Sequence, residues 1–134
     1  MFYQAAGIPF RTHSGKTELL IITNNSGDRW IFPKGLIDEG FSKTETVEKE
    51  AFEEAGITGK AMEVELGKYT YDKWGDTCEV VVVPMKIEEV LKEWPEDYMR
   101  RRRWISVDEM NQAIDERIPR KILAAFRKWH KNRK

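Results

Sequence analysis

The chain has 134 residues, and its 23 lysines and arginines balance its 23 aspartates and glutamates, so the formal net charge is zero. Balanced charge argues against a protein that binds bulk nucleic acid through a basic excess, and we expect no stable nucleic-acid complex. With 40% hydrophobic residues, the composition suffices for one core, and the length predicts one domain over residues 1–134. The single cysteine excludes an internal disulfide and a zinc site built on several thiolates.

The sequence also predicts where the protein acts. Its first residues lack the long apolar segment of a signal peptide, and no segment approaches the roughly 18 apolar residues of a membrane span. A lone cysteine, Cys78, fits a reducing compartment. We therefore expect a cytoplasmic monomer or homodimer that has no membrane partner.

The N-terminal half predicts a hairpin followed by a helix. Residues 3–12 and 17–24 are predicted strands around a turn at residues 13–16, and residues 30–32 are a third, short strand. A loop follows through Gly40. Ser42 and Glu45 form a capping-box pattern, and Gly56 ends the Gly-free and Pro-free stretch, so the sequence predicts a helix over residues 42–55.

The C-terminal half predicts strands and then two helices. Residues 60–72 and 77–87 are predicted strands, and the four consecutive valines at 80–83 predict burial on both faces. Residues 102–105 form a last predicted strand. A second capping box at Ser106 and Glu109 opens a short helix, and Pro119 lies in the first turn of a final one. Strands on both sides of a central helix predict an α/β sandwich around a mixed sheet.

Three glutamates in the predicted helix are candidate metal ligands. Glu50, Glu53 and Glu54 stand at positions i, i+3 and i+4 and project together on one face. A solvated surface would show the same pattern. However, negative charge is unfavourable near the end of a helix, so we expect something positive to compensate these three. Mg²⁺ or Mn²⁺ would do so, because hard divalent cations take carboxylate oxygens and keep water or phosphate as further ligands.

The segment GLIDEGFSKTETVEKEAFEEAGI, residues 35–57, resembles the Nudix box, G-x5-E-x7-R-E-U-x-E-E-x-G-U, where U is an apolar residue. Two positions depart from the pattern, since Phe41 replaces the usual glutamate and Lys49 the usual arginine. In the family these two side chains tend to pair and brace the loop. Their joint replacement indicates the exchange of a structural contact, because the glutamates are intact. The flanking segments QAAGIPFR, RWIFPKG and RRRRWISVDEM are also similar to bacterial Nudix hydrolases, so the resemblance covers nearly the whole chain.

The resemblance implies a Nudix-type α/β/α sandwich around a mixed β-sheet and hydrolysis of a diphosphate linked to another moiety, X. It implies that Glu50, Glu54 and the backbone carbonyl of Lys34 bind Mg²⁺ or Mn²⁺. Glu53 would be the general base or a further ligand, since the family varies in which glutamate takes the proton. A base from outside the box, Glu79 or Asp76, stays open.

Phosphate binding requires cations near the loop. Lys34, Arg11 and Arg29 are the candidates by the predicted strand layout, and surface solubility is the alternative for each. The run of four arginines at 100–103 fits either a highly phosphorylated substrate or the solvated edge of a strand, and we favour the second interpretation.

The substrate stays open at this level. The flanks resemble both the diphosphoinositol polyphosphate phosphohydrolases and the dinucleoside polyphosphate hydrolases. Gln4 and Asn25 stand where the inositol branch has basic residues, which weakens that assignment. Tyr69, Tyr71 and Trp74 lie where the family selects X, and exposed aromatics there would favour a nucleotide. Other hypotheses are a catalytically weak module that binds a phosphorylated metabolite, and one that binds an RNA 5′ end through the basic tail.

Overall fold

The computed structural model describes residues 1–133, which form an eight-stranded sheet with helices on both faces. The strands are β1 (Phe2–His13), β2 (Lys16–Thr23), β3 (Trp30–Ile31), β4 (Lys34–Leu36), β5 (Ile57–Ala61), β6 (Gly67–Lys73), β7 (Asp76–Val90) and β8 (Arg102–Ser106). The helices are α1 (Lys43–Ala55), α2 (Met110–Ala113) and α3 (Arg120–Asn132), and a 3-10 turn at Val107–Glu109 precedes α2. None of the helices in residues 1–133 combines the length and the apolar character that crossing a membrane requires.

The sheet is mixed, as the sequence predicted. β1 and β7 pair in parallel at its centre, with Ala6 opposite Val82, and the remaining pairings are antiparallel. β2 and β4 pair with β1, whereas β5 and β6 pair with β7. β3 and β8 both pair with β2.

Each face of the sheet carries its own core. Val81 and Val83 pack with α1, while Val80 and Val82 pack on the opposite face with α3. Because successive side chains in a strand alternate between faces, one strand with apolar residues throughout serves both cores. The predicted two-sided burial of the valine run is confirmed, since all four side chains are buried.

Two predicted elements differ from the structure. The single strand expected over 60–72 is wrong, because β5 and β6 are separate strands that pair with different parts of the long β7. Its length of 15 residues gives both strands a partner. The loop expected after residue 32 contains β4, which sequence alone did not reveal because its three residues have no strand-like pattern.

Candidate active site

Helix α1 begins and ends where the sequence predicts. The Ser42 side chain accepts a hydrogen bond from the Glu45 amide, and the Glu45 carboxylate accepts one from the Ser42 amide. Gly56 follows the last turn with φ of 67° and donates its amide to the end of the helix. A side chain there would also overlap Trp94, so glycine is required for both its backbone conformation and its close contact.

The last carbonyl groups of α1, and that of Gly56 after it, accept hydrogen bonds from the segment 91–102, which comprises the connection from β7 and the first residue of β8. The pairs are Glu96 N to Glu53 O at 3.0 Å, Trp94 Nε1 to Glu54 O at 3.0 Å, Arg102 Nη1 to Ala55 O at 3.2 Å, and Leu91 N to Gly56 O at 2.8 Å. The Arg102 guanidinium also lies 3.8 Å from the centre of the Trp94 ring. Arg102 therefore places positive charge at the negative end of the helix. The sequence predicts a compensating positive charge there but does not show which group supplies it.

Glu50 and Glu54 line a cavity of about 400 Å³ between α1, β4 and the segment 91–102. We call it the glutamate cavity. Its other lining residues are Gln4, Asn24, Asn25, Ser26, Ile31, Lys34, Gly35, Leu36, Lys73, Trp74 and Arg100. The two carboxylates are largely withdrawn from solvent, with side-chain exposures of 13% for Glu50 and 9% for Glu54.

Glu54 is held from two sides. Its Oε1 accepts a hydrogen bond from the Lys34 amide at 3.1 Å, and its Oε2 lies 3.8 Å from Arg100 Nη2. Burial, and then the neighbouring Glu50 carboxylate, raise the pKa of Glu54 to about 9, against the opposing effect of Arg100. Two carboxylates that compete for one proton in a buried cavity are a favourable binding site for a divalent cation.

At Lys34, the backbone of β4 also faces the glutamates of α1. Pro33 O and Ile37 N are bonded to β1, through Gly7 N and Tyr3 O respectively. The intervening even-numbered residues therefore present their backbone groups to the opposite edge, where the Lys34 amide meets Glu54. Since the carbonyl of a strand residue points to the same edge as its amide, Lys34 O faces the side of Glu54.

The Lys34 side chain carries positive charge into the cavity. Its ammonium lies 5.3 Å from the centre of the Tyr71 ring. Burial, followed by the charge of Lys73, lowers the pKa of Lys34. This side chain lines both the glutamate cavity and the neighbouring cavity described below.

Glu53 does not line the glutamate cavity, and its side chain is 36% exposed. It is linked to the cavity through Lys49, whose ammonium lies 3.3 Å from Glu50 Oε2 and 3.7 Å from Glu53 Oε1. Lys49 therefore pairs with the glutamates of its own helix, while Phe41 is 44% exposed. This is how the chain accommodates the two departures from the family pattern.

The two predicted phosphate-binding arginines lie outside the glutamate cavity. Arg11 lies on β1, five residues after Ala6, which pairs with Lys34 of β4. This separation corresponds to roughly 17 Å along the strand. The Arg11 guanidinium stacks 3.4 Å from the centre of the Trp104 ring, and its Nε lies 3.1 Å from Glu18. Arg29 Nη1 lies 3.5 Å from Asp115 Oδ1, beside the neighbouring cavity.

That neighbouring cavity has a volume of about 170 Å³, and we call it the aromatic cavity. Asn24, Ile31 and Lys34 line it together with the glutamate cavity, so the two adjoin. Its remaining lining residues are Ala6, Phe32, Tyr69, Tyr71, Asp115, Arg117 and Ile118. The Tyr71 hydroxyl donates to Gln4 Oε1 at 2.7 Å, which joins the walls of the two cavities.

Asp115 is a buried anion in the aromatic cavity, with a side-chain exposure of 4%. Although burial acts to raise the pKa of Asp115, hydrogen bonds from the Arg117 side chain and amide lower it overall. The shortest of these joins Arg117 Nη2 to Asp115 Oδ2 at 2.7 Å. Nothing in the local sequence singled out this aspartate, because its position depends on the chain returning to β3 after α2.

Sequence reasoning also missed Arg100. The four consecutive arginines at 100–103 look alike in sequence, but the structure separates them. Arg100 lines the glutamate cavity, Arg102 binds the end of α1, and Arg101 and Arg103 are exposed. The run is therefore not a continuous basic patch. Alternation along the chain could have suggested that its members face different sides.

The donor set fits a hard divalent cation. Within residues 1–133, no three histidine, cysteine, aspartate or glutamate side chains are gathered so as to hold an ion by themselves. Two carboxylates and a backbone carbonyl are nevertheless enough for Mg²⁺, which commonly takes one or two carboxylates and completes its coordination with water and substrate phosphate.

The fold and the cavity define a class of α/β proteins in which a helix presents glutamates to a short strand of a mixed sheet. The NUDIX domain model matches residues 1–126. The chain belongs to the Nudix family and is a pyrophosphohydrolase.

Two relatives show which kinds of Nudix hydrolase this chain resembles in sequence. Nudix hydrolase 18, mitochondrial, of Arabidopsis thaliana is 33% identical over 138 residues, which cover 90% of this chain and 78% of that protein. Diphosphoinositol polyphosphate phosphohydrolase 3-beta of Bos taurus is 29% identical, over 83% of this chain and 68% of that protein.

Solved structures share the fold. The Caenorhabditis elegans Ap4A hydrolase in a binary complex superposes with a TM-score of 0.77, covering 99% of this chain and 100% of that one, at 19% sequence identity. A Nudix hydrolase from Listeria monocytogenes gives a TM-score of 0.74 at 15% identity, covering 98% of this chain and 96% of that one. At these identities the likeness confirms the predicted architecture.

Proposed function

We propose that this enzyme uses Mg²⁺ or Mn²⁺ to hydrolyse the diphosphate of a nucleoside diphosphate linked to a further group, X. The observation that carries the proposal is the adjacency of the two cavities, which share Lys34. One supplies buried carboxylates beside which a diphosphate would lie, and the other supplies an aromatic and apolar space of the size of a small ring system.

The roles we propose combine the geometry of the cavity with the resemblance to the family motif. Glu50, Glu54 and the Lys34 carbonyl would hold the divalent cation, which when bound would supply positive charge beside the phosphate oxygens. Water attacks one phosphorus, Glu53 accepts a proton from that water, and the bond from this phosphorus to the bridging oxygen breaks. To reach the cavity, the Glu53 side chain gives up its 3.7 Å contact with Lys49. That contact is weak because solvent screens the two charges. The Lys34 ammonium binds a phosphate oxygen.

A nucleoside fits the aromatic cavity better than an inositol polyphosphate does. Tyr69 and Tyr71 offer ring faces, and Asp115 and Asn24 offer hydrogen-bonding groups, as a base requires. A densely phosphorylated inositol would instead find the two arginines beside Asp115, Arg117 and Arg29, already paired with that carboxylate. The bovine diphosphoinositol relative keeps that substrate as the second candidate, and the name of the C. elegans structure supports a dinucleoside polyphosphate as one form of the first.

Turnover of defined substrates tests the proposal. The purified protein is incubated with Mg²⁺ and, separately, with a nucleoside triphosphate, a dinucleoside polyphosphate, a nucleotide sugar and a diphosphoinositol polyphosphate, and the phosphate products are measured. We expect metal-dependent cleavage of one or more nucleotides. Cleavage of the diphosphoinositol substrate alone would transfer the assignment to the second candidate.

Matched glutamine variants test the assigned roles. Glu53→Gln should lower kcat by at least about a hundredfold, the usual contribution of a general base. Glu88→Gln makes the same change on the exposed part of β7 and should leave kcat within twofold. Unchanged turnover in Glu53→Gln would remove Glu53 from the mechanism.

The cellular location also stays a prediction. We propose the cytoplasm, although several Arabidopsis relatives carry the designation mitochondrial in their names. Fractionation of cells that express the tagged full chain, with immunoblotting of each fraction, tests it. Recovery of the protein from an organelle fraction would contradict the prediction.

A further inference from the structure

Arg100 is fixed in the wall of the glutamate cavity by three contacts. Its Nε donates to Glu96 Oε1 at 2.9 Å, and its Nη1 donates to the Thr23 carbonyl at 2.9 Å. The third group, Nη2, lies 3.8 Å from Glu54 Oε2. The side chain is only 8% exposed, so its guanidinium is held rigidly although it is charged.

The three contacts are unequal. The first two have the length of charge-assisted hydrogen bonds, whereas the 3.8 Å between Nη2 and Glu54 is too long for a direct hydrogen bond. In the part of the chain that the structure describes, Nη2 has no closer acceptor. Arg100 therefore keeps a pair of N–H donors at the cavity wall, next to a carboxylate that we assign to the divalent cation.

We propose that Arg100 binds a phosphate group of the substrate through Nη2, as a specificity-determining residue of the proposed reaction. The inference rests on the proposed function and extends it. An anchored guanidinium is pre-organised to meet phosphate oxygens, and it loses little conformational entropy when it binds them. When Glu54 binds the cation, a phosphate oxygen becomes the close hydrogen-bond acceptor that Nη2 otherwise lacks. Arg100 and Lys34 then both recognise the diphosphate.

A purely structural role is the competing explanation, since Arg100 also connects the segment 91–102 with the end of β2. The two explanations differ in what the loss of the side chain changes. A structural tie would affect stability and metal binding together. A phosphate ligand affects diphosphate affinity while metal binding stays intact or becomes tighter, because a positive charge has left the neighbourhood of the cation.

The experiment uses methylenediphosphonate, a diphosphate analogue without a hydrolysable bridge and without a base. Its affinity is measured by calorimetry in the presence of saturating Mn²⁺, and Mn²⁺ affinity alone is measured by electron paramagnetic resonance. The proteins are the wild type, Arg100→Met, Arg100→Lys and the control Arg101→Met. The control makes the same change at the neighbouring arginine, which is exposed and does not line the glutamate cavity.

We expect Arg100→Met to bind the diphosphonate at least about tenfold more weakly, as the loss of a hydrogen bond to a charged group predicts. Its Mn²⁺ affinity should be equal to or higher than that of the wild type. Arg100→Lys should recover part of the diphosphonate affinity, and the control Arg101→Met should stay within about threefold of the wild type. Diphosphonate binding within twofold of the wild type in Arg100→Met, or a parallel loss of Mn²⁺ affinity, would overturn the proposal.

A measurement on the unmodified protein covers the case in which Arg100 variants do not fold. In a crystal structure of the wild type with Mn²⁺ and methylenediphosphonate, Nη2 should lie within about 3.2 Å of a phosphonate oxygen. A separation beyond 4 Å would overturn the inference. If the wild type binds the diphosphonate but cleaves none of the substrates above, the proposed function fails while the Arg100 result still stands.

Discussion

Gly35 lies so close to Glu50 that a Cβ atom on Gly35 would be 2.6 Å from the Glu50 Cγ. The first residue of the family motif thus makes room for the first of the glutamates that we propose as metal ligands. Gly35 lies in β4, outside the left-handed region of backbone conformation, so its role is the close contact. Because residue 35 has no side chain, the Glu50 side chain can lie against it and keep its carboxylate near Glu54.

Gly35→Ala should therefore weaken metal binding by displacing Glu50. We expect Mn²⁺ affinity to fall by about ten- to a hundredfold, as for other changes that misplace a metal ligand. Gly40→Ala is the matched control, because Gly40 has φ of 89° with open space around it. That variant should lose about 1 kcal/mol of stability through backbone strain and keep its Mn²⁺ affinity. Unchanged Mn²⁺ binding in Gly35→Ala would show that Glu50 is not a ligand.

The pKa of Glu54, raised from 4.5 to about 9, predicts a pH dependence of stability without metal. Between these two pH values the unfolded chain has released this proton and the folded protein retains it, so the free energy of unfolding falls as pH rises. Glu54→Gln should show a smaller fall in melting temperature between pH 5 and pH 9. Mg²⁺ should stabilise the wild type more at pH 9 than at pH 5. Equal pH dependence in both proteins would contradict the burial of a protonated Glu54.

Arg102 stabilises the end of α1. Arg102→Met removes hydrogen bonds to the Ala55 and Leu91 carbonyls and the stacking on Trp94. We expect a loss of about 2–3 kcal/mol in the free energy of unfolding, measured by urea denaturation. Arg101→Met is the control, since Arg101 is exposed and its guanidinium donates to the Gly27 carbonyl at 3.2 Å. It should change stability by less than about 0.5 kcal/mol. Equal losses in both variants would refute the capping role.

Asp115 should act on the nucleoside and not on the diphosphate. Because its pKa is lowered, Asp115 is charged at neutral pH, and Asp115→Asn keeps its shape while removing that charge. We expect KM for the nucleotide substrate to rise about tenfold, with methylenediphosphonate affinity within twofold. Asp108→Asn, whose side chain is 97% exposed, is the control. Equal weakening of both ligands by Asp115→Asn would indicate a general structural effect.

The sequence predicted those features that depend on neighbours in the chain. Ser42 with Glu45, and Gly56 after the last turn, determine α1 because capping uses groups within one turn. The spacing of Glu50, Glu53 and Glu54 places them on one face for the same reason. The mixed architecture followed from these signals and from the family resemblance.

Only the tertiary structure decided which charges meet. Arg100 reaches Glu54 and Arg11 does not, although the sequence places Arg11 within a predicted strand and Arg100 shortly before one. Asp115 enters the aromatic cavity because the chain returns to β3 after α2. There the Asp115 amide donates a hydrogen bond to the Trp30 carbonyl. Contacts between residues distant in sequence depend on strand pairing and on the packing of both cores. Local patterns determine helix α1 and the position of its carboxylates, whereas Arg100, which faces Glu54, comes from a distant part of the chain.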